Sequence, residues 1–282
     1  MRLSICVTTI NAVDDLNSCL QAIWQSTIKP SHVIVSDDSP ASEVQQQNCR
    51  IVDRYEHTDY VIGPHRGVCA NRNCALENLS PSDFVAFIDD DIRVARDYIA
   101  KALSRYRTLK PEAQQQTILT GGMPTKLSFR GFFKQSDRPL CVDIHTAVFP
   151  TAFFKTARWD EKIYFGYEDA LLCLQAIKQG YSILHCPELK VVDTRSGQST
   201  LKKESFGQIT KYEIYIESAR LYVGIKRYQN IYPNPLKLGL FLSIYFVHMN
   251  LYLFRKKALT SWFKILKYSH FKNVLFNFQS FR

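Results

Sequence analysis

The 282-residue chain has eight cysteines but no Cys-x-x-Cys pair. Thiols this dilute form neither a disulfide framework nor a structural zinc site. Internal repeats and low-complexity stretches are missing too, which sets aside solenoids and disordered linkers. No acidic residue occurs from Ser218 to Arg282. The opening segment Met1–Thr9 has too short an apolar run for a signal peptide and no small-residue cleavage site, so the expected location is cytoplasmic and reducing. Cysteines such as Cys6 and Cys173 then serve as small buried hydrophobes.

What is present belongs to a globular protein of one or two domains, with 46% apolar and 22% charged residues. The net charge of +10 is confined to one end. Residues 1–200 carry 22 Lys and Arg against 23 Asp and Glu, and residues 201–282 carry 14 against 3. Because the larger part is slightly acidic and holds no base-reading motif, nucleic acid is not the expected partner. The basic end is also rich in Phe, Tyr, Leu and Ile, a composition suited to an anionic membrane surface. The alternative is that it packs on the rest of the chain or on a second subunit with its lysines solvated.

Leu3–Thr8 predicts a buried strand, and Leu16, Cys19, Leu20, Ile23 and Trp24 follow at helical spacing. Further strands are predicted at 33–36, 60–62 and 84–88, with a helix over 67–79. This alternation implies a mostly parallel, Rossmann-like α/β sheet covered on both faces, with chemistry just beyond the strand ends. Polar residues stand there: Thr8, Thr9 and Asn11; Asp37 and Asp38; Asp89, Asp90 and Asp91. Beyond residue 96 the reading gives strands at 117–120, 141–149, 183–185 and 189–192, a helix over 169–180 and a long helix from about 204 to 228. The sequence Tyr232-Pro-Asn-Pro235 then breaks the chain before an apolar run over 238–254.

Three consecutive carboxylates after a buried strand repel one another unless a cation lies among them. Hard oxygen ligands suit Mg²⁺ or Mn²⁺; a solvated acidic turn is the other reading. In Trp159-Asp-Glu-Lys-Ile-Tyr-Phe-Gly-Tyr-Glu168-Asp169, an aromatic loop enters a helix with two acidic first residues. Acidic residues favour helix N-termini on dipole grounds alone. Beside a metal, however, a carboxylate among Tyr164, Phe165 and Tyr167 is placed to act as a general base.

Together these segments resemble the family 2 glycosyltransferases of GT-A fold. The likeness runs from residue 3 to about 195 and rests on Val7-Thr-Thr-Ile-Asn11, Val35-Ser-Asp-Asp38-Ser, Gly67 to Arg72-Asn73, Asp89-Asp90-Asp91 and Glu168-Asp169. It implies an inverting, metal-dependent transfer of one sugar from a nucleotide-diphosphate sugar to a glycan or lipid-linked glycan acceptor in surface polysaccharide synthesis. UDP-sugars are the favoured donors and dTDP-rhamnose comes next. Thr8, Thr9, Asn11, Asp38, Arg72, Asp89 and Asp90 would line the nucleotide-sugar site. Asp91 would bind the metal, with Asp89 in support. Asp169 would be the base, and Glu168 would orient the acceptor. Residues 1–95 would form the nucleotide half and 96–200 the acceptor half of the catalytic domain, with 201–282 a helical extension on the inner face of the cell membrane.

Two departures qualify the transfer of roles. Where the family often has a histidine metal ligand, Val191-Val-Asp193 offers Asp193 instead, and nearby His185 reads as structural. Asp143-Ile-His145-Thr146 stands where relatives carry a small-residue turn near the transferred sugar. No Gln-x-x-Arg-Trp sequence is present, which points away from processive synthesis. No glycine occurs between Thr8 and Asp14, which counts against a sugar-phosphate nucleotidyltransferase. The remaining alternative is a degenerate, membrane-associated protein that only binds glycans or nucleotides. In the tail, 238–254 is a marginal span with basic flanks on both sides, so it is expected to lie on a membrane. The apolar positions between Trp262 and Phe278 predict two short amphipathic pieces.

Overall fold

The computed structural model describes residues 1–194, 204–206 and 208–276. In its first half, strands β1 (Leu3–Thr9), β2 (Val33–Asp37), β3 (Thr58–Ile62) and β4 (Phe84–Asp89) alternate with helices α1 (Val13–Trp24), α2 (Ser42–Val52) and α3 (Val68–Glu77). Next come β5 (Ile92–Val94), α4 (Tyr98–Arg107), the single turn α5 (Pro111–Gln114), β6 (Thr117–Thr120), β7 (Thr125–Leu127), β8 (Phe133–Gln135) and β9 (Val148–Pro150). Helix α6 (Glu168–Lys178), β10 (Ser182–His185) and β11 (Val191–Asp193) follow. A small hairpin, β12 (Ser205–Phe206) and β13 (Ile209–Thr210), leads to helices α7 (Lys211–Lys226), α8 (Pro235–Arg255), α9 (Trp262–Tyr268) and α10 (Phe271–Phe276).

Seven strands form the central sheet in the order β10-β6-β9-β4-β1-β2-β3. Strand β1 is buried at all seven positions between parallel β2 and β4. This is why its sequence is a mostly apolar run rather than an alternating one. Alternate residues feed two cores. Ile5 and Val7 pack with Leu16, Leu20 and Ile23 of α1, and Cys6 faces the core that includes Phe87, Trp159 and the α6 apolar residues. Register matters most at the carboxyl edge, where Thr8 pairs with Asp89 and Thr9 with Asp37.

Two predicted elements are corrected. The strand predicted over 141–149 is confined to β9, because Asp143 accepts a hydrogen bond from the His145 N–H at 3.3 Å and bends Ile144–Thr146 into a 3₁₀ turn. β9 runs antiparallel to both β4 and β6, so the sheet is mixed. The long helix starts at Lys211 rather than near Glu204, where Thr210 and Glu213 form a capping box. The tail does divide into two short helices, α9 and α10; Phe278 lies outside the described residues. All eight cysteines are free thiols.

The C-terminal helices extend the core that contains α6. Phe241, Tyr245, Met249 and Leu253 of α8 recur every four residues and are buried, which turns one face of the helix inward. Gly224 of α7 permits the contact: a methyl group there would stand 2.1 Å from Phe241 Cζ. The Arg220 guanidinium bonds Glu217 and the Arg130 carbonyl and lies between the rings of Phe132 and Tyr245, 4.3 and 4.4 Å from their centroids. Tyr245 and Tyr252 donate hydrogen bonds to the Glu217 carbonyl and the Glu213 carboxylate. Among the described residues, α8 is the one helix long and apolar enough, by length and composition, to cross a membrane.

Candidate active site

Parallel pairing brings the polar ends of β1, β2 and β4 to one edge of the sheet. The two threonines after the apolar run are engaged there: Thr8 donates to Asp89 Oδ1 and Thr9 to Asp90 Oδ2, both at 2.7 Å. Their hydroxyls thus orient carboxylates that the aspartate triplet would otherwise leave in mutual repulsion. Asn11 adopts a left-handed backbone with φ of 52°, and its N–H bonds Ser39 Oγ at 2.8 Å.

The paired aspartates after β2 have separate duties. Asp37 is fully buried and accepts bonds from the Ser39 N–H, Asn48 and Tyr60, all at 2.8 Å. It shapes the turn. Asp38 accepts the His65 N–H at 2.9 Å, and burial raises its pKa against the opposing pull of that bond. Gly63 makes this crowding possible, since a methyl group there would fall 2.3 Å from Asp38 Oδ1 and 2.5 Å from Asn71 Oδ1.

Helix α3 supplies the connection to the rest of the site. Arg72 is buried, with Nη2 at 3.1 and 3.2 Å from the two Asp89 oxygens and Nη1 at 3.3 Å from Glu168 Oε1. Its guanidinium also stands over Trp159, 5.0 Å from the ring centroid. Asn73 pairs with the Trp159 backbone through both amide atoms, at 3.0 and 3.1 Å. Adjacent residues therefore grip the carboxylate end of β4 and the loop that leads into α6.

Asp89 has a second partner that the sequence reading missed: His145 Nε2 lies 2.9 Å from Asp89 Oδ2. Burial alone would raise the Asp89 pKa, but Arg72 and the bonds from His145 and Thr8 hold it well below the usual carboxylate range. The same contact raises the His145 pKa despite desolvation. Asp89 was expected to share the metal with Asp91. Its oxygens bond Arg72, His145 and Thr8 in this structure. Among the described residues, no group of three His, Cys, Asp or Glu gathers as a metal cage. Asp193 pairs with Ile92 in the β11–β5 ladder, and the Thr194 N–H and hydroxyl both bond the Asp91 carbonyl, so Asp91 and Asp193 are chain neighbours across the ladder. Two carboxylates are a donor set compatible with Mg²⁺ or Mn²⁺, which take one or two protein ligands plus phosphate oxygens and water. His185 belongs to β10 at the far edge of the sheet.

The loop into α6 turns through two consecutive left-handed residues, Gly166 with φ of 77° and Tyr167 with φ of 64°. For tyrosine this conformation costs about 1–3 kcal/mol and collects at functional sites. It presents Glu168 and Asp169 at the helix start, on the wall of an open cleft of about 350 Å³. Phe133, Phe165, Tyr167 and Tyr212 also line the cleft, and Phe133 stacks on Tyr167 with centroids 5.0 Å apart. Burial and the adjacent Glu168 charge push the Asp169 pKa up to about 7. Glu168 Oε1 is held by Arg72, and its Oε2 is buried without a hydrogen-bond partner. Phe133 and Tyr212 carried no sequence signal, since each reaches the cleft only through tertiary packing.

Comparisons agree with this architecture. Residues 4–158 match the model of glycosyl transferase family 2. The succinoglycan biosynthesis protein ExoM of Rhizobium meliloti (strain 1021) is 45% identical over 49 residues, which is 17% of this chain and 16% of that protein. The fold is similar to that of S. aureus TarS, with a TM-score of 0.54 and 16% identity over 87% of this chain and 43% of TarS. Its 1–349 fragment in complex with UDP gives 0.55 and 15%, over 87% of this chain and 71% of the fragment. GalNAc-T7 with UDP, GalNAc and Mn²⁺ gives 0.60 and 12%, over 87% of this chain and 54% of that one. The chain therefore matches less than half the length of ExoM or of TarS.

Proposed function

The chain belongs to glycosyl transferase family 2, and from that premise we propose that it is an inverting, non-processive glycosyltransferase moving one sugar from a nucleotide-diphosphate sugar to a glycan or lipid-linked glycan in surface polysaccharide synthesis. The observation that carries the reading is the Arg72 bridge, which fastens Asp89 at the end of β4 to Glu168 beside Asp169. It holds a nucleotide-side carboxylate and a candidate base in one rigid frame. Residues 1–95 then serve as the nucleotide half and 96–200 as the acceptor half. Residues 201–282 form a helical extension that attaches peripherally to an anionic membrane.

Asp38, with Thr9 and Asn11 nearby, takes the base and ribose. Arg72, kept cationic by two carboxylates, and His145 face the sugar diphosphate region beside Asp89 and Asp90. UDP-sugars are the preferred donors, with dTDP-rhamnose second; UDP accompanies TarS 1–349 and GalNAc-T7 in their structures. Asp91 and Asp193 would hold Mn²⁺ or Mg²⁺, which supplies Lewis-acid neutralisation of the charge left on the diphosphate. Asp169 removes the proton from the attacking acceptor hydroxyl. Its raised pKa makes it a stronger base than an ordinary carboxylate once ionised. Glu168, with one oxygen held by Arg72 and the other unpartnered, orients that hydroxyl. The aromatic walls of the cleft offer flat faces to the acceptor's pyranose rings and limit water around Asp169.

The test is a thermal-shift and calorimetric panel of UDP, dTDP, GDP and CMP with Mn²⁺, Mg²⁺ or EDTA, on wild type and Asp91→Ala. Stabilisation by one nucleoside diphosphate, lost with EDTA and with Asp91→Ala, is the expected outcome. If nucleotide binds without turnover of any sugar donor, a degenerate binding protein is the better description. Absence of binding under every metal condition would overturn the proposal.

A further inference from the structure

The buried face of α8 is matched by an opposite face that is apolar and uncovered. Leu236, Leu240, Val247, Leu251 and Phe254 are 86, 54, 62, 55 and 71% exposed. Their spacing from Leu236 is 4, 11, 15 and 18 residues. At 3.6 residues per turn these positions return to one side of the helix. Phe263 at the start of α9 is 80% exposed. Exposed cations bracket the stripe: Lys237 at its beginning, and Arg255 and Lys257 at its end.

We propose that this face of α8 docks in the plane of an anionic phospholipid bilayer, and that it delivers a lipid-anchored acceptor to the cleft through α7. The charge pattern selects this occupant. A second copy seated on the same face would bring Lys237, Arg255 and Lys257 against their equivalents. No acidic residue follows Glu217 to offset them, and Glu213 and Glu217 are already bonded to Tyr252 and Arg220. Anionic headgroups meet the same cations with attraction, while the leucines, valine and phenylalanine enter the acyl boundary. Spanning is disfavoured because Tyr245, His248 and Tyr252 meet the charged residues Glu213, Glu217 and Arg220 of α7 on the other face. Docking in the plane leaves those contacts intact.

Helix α7 ties the surface to the site. Tyr212 and Ile216 line the acceptor cleft, and three turns on, Gly224 lies under Phe241 of α8. A docked α8 therefore fixes the cleft at a set height above the bilayer. This orientation rests on the acceptor reading above, whereas docking itself is independent of it.

Sedimentation of the full chain with vesicles tests the inference. Phosphatidylcholine vesicles with and without phosphatidylglycerol would be compared for wild type, Val247→Glu/Leu251→Glu and Lys237→Glu/Lys257→Glu. Wild type should partition onto the anionic vesicles, more weakly as salt rises, and each double variant should lose about tenfold or more. Unchanged thermal unfolding and UDP binding in the variants separate loss of docking from misfolding. Equal partitioning of wild type and variants, or equal binding to neutral vesicles, would overturn docking. So would a wild-type dimer that the Val247→Glu/Leu251→Glu change dissociates. Docking without nucleotide binding would sink the transferase reading alone.

Discussion

Arg72 lies 3.1 Å from Asp89 and 3.3 Å from Glu168, so one guanidinium spans the gap between the end of β4 and the start of α6. These partners are 17 and 96 residues away in sequence. The fork geometry matters, because a lysine ammonium cannot hold Asp89 with paired bonds and still reach Glu168.

Replacing Arg72 should therefore be costly. Arg72→Ala leaves Glu168 without its cation and Asp89 with only His145 and Thr8, and should destabilise the fold by about 3–5 kcal/mol. Arg72→Lys should keep the fold but weaken nucleotide binding at least about tenfold. Denaturant unfolding and calorimetry separate the two effects.

Asp169 gives the pH dependence a definite sign. Burial and the adjacent Glu168 charge push its carboxyl up to about 7, and a general base works only when ionised. Transfer should rise with pH up to about 7 and level off above it. Asp169→Asn should lower kcat by about 10²–10⁴-fold with donor binding retained. A pH–rate profile with saturating donor checks the limb.

The same residue should trade stability for activity. Between about pH 4 and 7 the folded chain keeps a proton that the unfolded chain has lost, so stability falls as pH rises through that window. Below it the difference vanishes. At pH 8 Asp169→Asn should be more stable than wild type, by roughly 1–4 kcal/mol, and unfold at a higher temperature. Scans at pH 4 and pH 8 check whether the gain appears only at the higher pH.

Gly63→Ala should disturb the nucleotide side without touching Asp169. The added methyl group meets Asp38 and Asn71 at 2.3 and 2.5 Å and the Asp37 carbonyl at 3.1 Å. Overpacking should cost about 1–3 kcal/mol, with a higher Kd for nucleoside diphosphate. Unchanged nucleotide affinity would remove Asp38 from the pocket.

Tyr212→Ala and Phe133→Ala should raise the acceptor KM while leaving nucleotide affinity alone. Stacking on an aromatic face contributes about 0.5–1.5 kcal/mol, or roughly threefold to tenfold each. Steady-state kinetics with a defined acceptor would read the split.

Several features were legible in the sequence because they are local. The apolar run of β1, the polar residues after β1, β2 and β4, the acidic start of α6 and the proline break before α8 depend on neighbours a few residues away. Periodicity and turn chemistry record these directly. The division of charge between the two ends is likewise a property of composition.

Tertiary structure decided which carboxylate meets which partner. Asp89 and Asp91 look alike in the triplet, yet Arg72, His145 and Thr8 converge on Asp89. Those partners come from β1, α3 and a 3₁₀ turn, and no sequence spacing relates them. The aromatic cleft and the uncovered stripe of α8 have the same origin, since each depends on which face a helix buries. Local sequence determines what an element is; long-range packing determines which side chains of different elements share a site, because their proximity is created only when the elements pack together.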